Sequence, residues 1–284
     1  MLDMDGPDLY PMGTAPHGAL TARGEDMQRK FKAFPLTILA ASLCAGAALA
    51  QGAPSAPDRT AQYAAIARLP AFEGVWQADR GSVTRLRAAE GEAPLTPKAR
   101  AAVDAYNAAK EQGRNTQTEG ANCVPVGMPG AMRYPYPIEI IYSPGKVNIV
   151  IETHSQVRRI YTDGRPLPED PDPLFNGSSV GHWEGDVLVA DTIGISPQVS
   201  LIAGLHATEN TRIRERFHLE GPDKLIVETT ITDPALFTAP FVTTMGYTLE
   251  PDWEIREYVC QENNRDAADA EGRPSMDLGL DNKD

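Results

Sequence analysis

From Cys123 onward the chain alternates short apolar runs with turn signals. The runs at 138–142 and 146–152 are separated by Ser143-Pro144-Gly145, a hairpin signature. A run at 156–162 ends at Asp163-Gly164, and an acidic, proline-rich loop follows at 166–176 that cannot be a strand. Further runs occupy 187–193, 210–219, 224–232, 241–249 and 255–261, with Glu220-Gly221-Pro222-Asp223 and Asp233-Pro234 as turns. Upstream, 72–76 is a short apolar strand carrying Gly74-x-Trp76. Two segments have helical period instead: a short piece at 61–68 stopped by Pro70, and 96–112. The second opens with Thr96 as cap and Pro97 in the first turn, carries Ala102, Val103, Tyr106 and Ala109 on one stripe, and ends at Gly113. Residues 88–92 read as loop.

About nine strands with one substantial inserted helix predict a mainly β fold, and short connections favour antiparallel, up-and-down pairing. Closure into a barrel removes the sheet edges and encloses an interior that side chains or one small ligand can fill. A two-sheet sandwich is the alternative. The barrel domain is expected at 72–262.

Strand alternation assigns faces within these runs. The stretch Gly177 to Gly194 joins a polar, glycine-rich turn to a strand in which Asp191 shares a side with Val187, Val189 and Ile193, so Asp191 is expected to point inward. In 156–162, Val157, Arg159 and Tyr161 share the expected inner face and Arg158 takes the other. In 210–219, Glu215 lies with Ile213, Phe217 and Leu219, opposite a basic stripe of Arg212, Arg214, Arg216 and His218. Three inward charges, Arg159, Asp191 and Glu215, must then pair with one another or with a ligand, because an unpaired charge in a barrel costs several kcal/mol. Tyr161 adds a hydroxyl beside them. His206 and Glu209, on the loop feeding the 210–219 strand, fall at the expected barrel mouth, where His182 and Trp183 also stand; His154 reads as a turn residue.

The N-terminus bears on the compartment. Met27 to Lys32 is basic, an apolar run follows through Leu49, and Ala48-Leu49-Ala50 is a small-x-small cleavage site, which together form a signal peptide at 27–50. Residues 1–26, acidic and rich in Gly and Pro, are expected to be an over-called start. Cys44 is preceded by Leu43, which does not suit a lipoprotein site. The mature chain is expected to start near Gln51, with 51–71 as linker and short helix and 263–284 as a disordered acidic tail. Cleavage leaves Cys123 and Cys260, which are expected to pair in a periplasmic or extracellular setting. A net charge of −13 argues against a nucleic-acid partner, and no stable membrane anchor is expected after cleavage.

Sharper motifs fail. Gly177-Ser178-Ser179-Val180-Gly181 matches G-x-S-x-G, but a nucleophile elbow needs a strand before it and a helix after it, and here a strand follows. The histidines have no metal-ligand spacing, and no phosphate-binding glycine loop is present, so no cofactor is expected.

Two resemblances add context. Gly74-Val75-Trp76 followed by a strand meander resembles the opening of lipocalin-type (calycin) barrels. Cys123-Val124-Pro125-Val126-Gly127-Met128-Pro129, Arg158 to Arg165, Trp183-Glu184-Gly185-Asp186 and Glu257-Tyr258-Val259-Cys260-Gln261-Glu262-Asn263 together resemble a family of exported bacterial proteins with no settled activity. That resemblance implies fold and export and no catalytic residue; His182 stands where the family pattern has Arg.

Two functions fit this reading. The first is a cofactor-independent lyase or isomerase acting on a small apolar or aromatic compound. In it Glu215 or Asp191 is the general acid/base, Arg159 holds an anionic oxygen, and Tyr161 or His206 relays a proton. The second is a non-catalytic periplasmic carrier or sensor that uses the same charges for a ligand head group. A purely structural role follows if the interior is fully packed.

Overall fold

The computed structural model describes residues 58–113 and 123–260. The expected leader, including Cys44, and the expected acidic tail at 263–284 lie outside the described residues.

Three helices and eleven strands make up the described chain: α1 (Arg59–Ile66), β1 (Gly74–Ala78), α2 (Arg80–Gly91), α3 (Pro97–Glu111), β2 (Ile138–Ser143), β3 (Lys146–Ile151), β4 (Gln156–Tyr161), β5 (Ser178–Glu184), β6 (Val187–Ile193), β7 (Ser200–Ile202), β8 (Leu205–His206), β9 (Arg212–Leu219), β10 (Lys224–Thr232) and β11 (Phe241–Leu249). Nine strands close into a barrel in the order β1-β11-β10-β9-β6-β5-β4-β3-β2, while β7 and β8 form a separate two-stranded ribbon. The mainly β, closed-barrel expectation is met.

The details differ in three ways. First, residues 255–260 are not a strand; the ninth place in the barrel belongs to β5, where a glycine-rich turn was expected. Second, pairing is not wholly antiparallel, because β4 and β5 run parallel through Ile160–Ser179 and Tyr161–Val180. A parallel pair needs a return connection, and the proline-rich segment 162–177 supplies it without helix. Third, the 79–137 connection holds two helices, with α2 covering residues 88–91 that were expected to be loop.

Local chemistry explains the helices. Thr96 caps α3 by accepting from the Ala99 N–H, with Pro97 in the first turn. Asp58 caps α1 through the Thr60 N–H. The hydroxyl of Ser82 on α2 accepts from the Gly246 N–H of β11 at 2.9 Å, and Leu86 is buried in the core.

The barrel is filled unevenly. At one end Trp76, Phe72, Tyr142, Phe217 and Leu188 pack together, with Trp183 against Phe72 and Tyr142 at ring separations of 5.5 and 6.1 Å. The Trp76 indole donates to the Phe72 carbonyl and the Tyr142 hydroxyl to the Pro70 carbonyl, so neither buried polar tip is left unmatched. At the other end the chain between α3 and β2 turns inward at Met128, Ala131 and Met132. Gly127 makes that turn at φ +64°, where a Cβ would stand 2.4 Å from the Phe175 carbonyl oxygen.

Cys123 and Cys260 form a disulfide, with Cα atoms 5.7 Å apart. It ties the chain just ahead of β2 to the segment after β11. Closing a loop of this length stabilises by ~5 kcal/mol on the chain-entropy account.

Candidate functional site

Among the described residues, one ion pair has both side chains fully buried. Arg158 on β4 and Glu215 on β9 are bonded through Nη2 and Oε2, with side chains 1% and 0% exposed. The same Nη2 donates to the Thr192 hydroxyl of β6 at 3.1 Å and lies 3.5 Å from the Ser179 hydroxyl of β5; Ser179 and Thr192 are 2.7 Å apart. One guanidinium therefore bridges β4, β5, β6 and β9.

Register extends this cluster around the wall. Glu215 pairs with Thr229 of β10, which pairs with Thr243 of β11. The Thr243 hydroxyl accepts from Nη2 of Arg133 at 3.0 Å. Arg133 ends the inward turn after Met132 and is itself buried, with Nη1 3.5 Å from Glu90 of α2. Tyr247, fully buried on β11, donates its hydroxyl to the Met132 carbonyl. The result is a polar belt lined mainly by short side chains (Ser179, Thr192, Thr229, Thr243) with two guanidinium groups and one deeply buried carboxylate.

Charge inside so small a space is felt by its neighbours. Burial lowers the Arg133 pKa from its ordinary value, opposed by the carboxylates of Glu90 and Glu215. Burial raises that of Glu90, opposed by Arg133 and Arg87. Burial also pushes the Tyr247 phenol well up; Glu215 adds to this while Arg133 and Arg158 oppose it. These dependences place Arg133, Arg158, Glu215 and Tyr247 within one electrostatic neighbourhood.

Several atoms of the belt have no hydrogen-bond partner among the described residues: Arg158 Nε and Nη1, Arg133 Nε and Glu215 Oε1. Buried polar groups are normally satisfied, by protein, water or ligand.

Of the residues singled out from sequence, Glu215 is where strand alternation put it. Arg159 and Asp191 are not. Arg159 is exposed and its neighbour Arg158 takes the inner face of β4 with Gln156 and Ile160. Asp191 lies on the outer face of β6, where it faces Arg214 in register and is held in a two-pronged pair: Nε to Oδ1 at 2.7 Å and Nη2 to Oδ2 at 3.0 Å. The inner residues of β6 are Leu188, Ala190 and Thr192, set opposite Phe217, Glu215 and Ile213. Tyr161 stays outside the belt, half-buried under the Arg165 guanidinium at 3.9 Å from its ring centre. His206 on β8 and Glu209 on the following loop are exposed, whereas Glu215 is fully buried. His182 is exposed and bonds Glu184 at 3.2 Å, and Glu184 also accepts from Arg216. Trp183 points inward at the apolar end.

The residues missed were Arg158, Arg133, Ser179, Thr192, Thr243 and Tyr247. For Arg158 a signal existed: Ile160, two residues on, is as apolar as Val157, so β4 offered two readings. Arg133 sits on no strand, and nothing in the local pattern marked it as internal. Ser179 drew notice only as a rejected nucleophile.

No family model and no curated protein matches the sequence. Among solved structures the chain is similar to the crystal structure of wild-type fluorescent protein UnaG, at 16% identity and a TM-score of 0.30, over 63% of this chain and 97% of that chain. The fold assignment rests on the closed strand order itself. Among the described residues no group of three or more His, Cys, Asp or Glu side chains converges as a metal site would require.

Proposed function

We propose that this is an exported small-molecule-binding barrel, in which the polar belt receives the head group of a ligand whose apolar body lies toward Trp76, Phe217 and Trp183. The observation that carries the reading is the set of uncommitted buried atoms on Arg158, Arg133 and Glu215. Arg158 Nε and Nη1 and Arg133 Nε are buried donors without an acceptor among the described residues, which suits an anionic or enolate-like oxygen. Export is supported by the disulfide, which persists in oxidising compartments, together with the leader pattern.

A second reading keeps the same site and adds chemistry: a cofactor-independent lyase or isomerase. One oxygen of Glu215 is held by Arg158 and the other is uncommitted, the arrangement of a carboxylate base whose charge is held in place. Asp191, Arg159, Tyr161 and His206 have no part in this version.

The test uses the protein exported with its own leader. Aromatic carboxylates are titrated while the fluorescence of Trp76 and Trp183 is followed, and the paired variant R158M/E215L, which removes both charges together, serves as control. Saturable quenching in the wild type, lost in a paired variant that still unfolds cooperatively, is the expected outcome. No response to any member of the panel at millimolar concentration overturns the binding reading. Turnover that disappears in E215Q while quenching persists supports the enzyme; quenching without turnover supports the carrier.

A further inference from the structure

A concave site lies on the outside of the barrel, and Asp191 joins it. Outward side chains of β6, β9 and β10 (Asp191, Arg212, Arg214, Thr230 and Thr232) together with Leu167 from the return segment 162–177 line a groove of about 410 Å³. That volume is in the range of small-ligand pockets. Register makes the arrangement regular: Arg214 stands opposite Thr230, and Arg212 opposite Thr232. Asp191 occupies the Arg214 fork from the other side. Among the described residues Arg212 has no carboxylate partner; it is exposed at the groove wall, in register with Thr232. Leu167 and Ile193 supply apolar surface next to it.

We propose that this groove binds a small organic monoanion, with its carboxylate on Arg212 and the Thr230 and Thr232 hydroxyls and its apolar body against Leu167 and Ile193. The charge count specifies the ligand class. Arg212, Arg214 and Asp191 sum to one positive charge, and because Asp191 consumes the Arg214 fork, a second anionic group on a ligand finds no free guanidinium and meets the Asp191 carboxylate. Asp191 is then a selectivity residue, favouring a monoanion over a dianion by occupying a site and by repulsion.

Thr192 and Ile213 of the barrel wall also line the groove, but its charged and hydroxyl side chains alternate with Thr192, Ile213, Thr229 and Ile231, which are buried, and so stand on the opposite face from the Arg158–Glu215 pair. The two readings can therefore fail independently.

The experiment follows backbone amide shifts of the exported protein during titration with benzoate, with benzamide as the neutral analogue and phthalate as the dianion. Benzoate is expected to move the amides of Arg212, Thr230 and Thr232 saturably, with benzamide silent. R212Q is expected to weaken benzoate about tenfold or more, as loss of a charge-assisted contact does. D191N is expected to raise phthalate affinity relative to benzoate. R158M/E215L is expected to leave these shifts unchanged, which distinguishes groove binding from binding in the belt. All these substitutions but the last pair are on exposed or half-exposed positions, and an unchanged melting temperature confirms the fold. Absence of saturable groove shifts up to ~10 mM benzoate, which corresponds to less than ~3 kcal/mol of binding, overturns the proposal. So does an equal response to benzamide, or an unchanged benzoate affinity in R212Q.

Discussion

Two Arg–carboxylate pairs share strand β9, one reaching to β4 and the other to β6, and their surroundings are opposite. Arg158–Glu215 is inside, with side chains 1% and 0% exposed; Arg214–Asp191 is outside, at 62% and 28%. Glu215 and Arg214 are adjacent in the chain, so a single step along β9 carries a charge from the barrel interior to solvent. The outer pair has the better hydrogen-bond geometry, two prongs against one. Geometry nevertheless does not rank them. Solvent screens the outer pair and leaves it worth ~0–1 kcal/mol, whereas removing one partner of the inner pair strands a charge where water cannot reach it.

The contrast can be tested from its largest effect downward. E215Q or R158M alone is expected to destabilise by ~3–5 kcal/mol in urea unfolding, because each leaves an uncompensated buried charge. Removing both charges with apolar groups of similar volume, as in R158M/E215L, is expected to recover most of that loss or exceed wild-type stability by ~1–4 kcal/mol. A double variant as unstable as the singles would mean that the belt's hydroxyl network, and not the charge, is what holds the fold. Two acids report the same contrast through pH, with opposite signs. Glu90, raised above its ordinary value of 4.5 by burial, contributes stability that is fully present below that value and is lost as pH rises through the folded-state pKa; E90Q should flatten that side of the profile. Glu184, lowered by its bonds to Arg216 and His182, contributes stability that is present above the ordinary carboxylate range and is lost as pH falls through its folded-state pKa; E184Q should flatten the acid side. Unfolding curves between about pH 3 and 7 read both. The smallest effect is D191N, expected to cost no more than ~1 kcal/mol and less as salt is raised.

The barrel was legible in the sequence because period-two runs and turn residues are local. Where strands end and which strands pair is also largely local, which is why eight of the expected runs are barrel strands. The faces were harder. On β9 Ile213, Phe217 and Leu219 mark one face against Arg212, Arg214 and Arg216 on the other, and Glu215 follows its apolar neighbours inward. On β6 both faces are apolar: Val189 and Ile193 point outward yet are only 2% and 7% exposed, so the apolar side did not identify the inner side. Register decides it, since Ala190 is opposite Glu215 and Asp191 opposite Arg214, and register between strands distant in sequence is not written in either strand alone. β5 was missed because Ser178, Ser179 and Gly181 have turn chemistry; what holds them extended is seven pairings with β6. Arg133 enters from an irregular turn, for which no periodicity exists.

The parallel contact of β4 with β5 has a kinetic consequence. It comprises two register pairs, against seven between β5 and β6. Hairpins on either side can form from neighbouring residues, but this joint forms only once the 162–177 return has brought β5 alongside β4, at the entropic cost of closing that loop. With so few backbone bonds across it, it is also the part of the wall where the least is lost on local opening. Arg158 reaches across that joint from β4 to Ser179, Thr192 and Glu215, so the side chain at the centre of the belt is also the clasp of the barrel. A molecule that engaged Arg158 would compete with the clasp as it bound, and amide exchange along β5 would register its arrival before any other strand did.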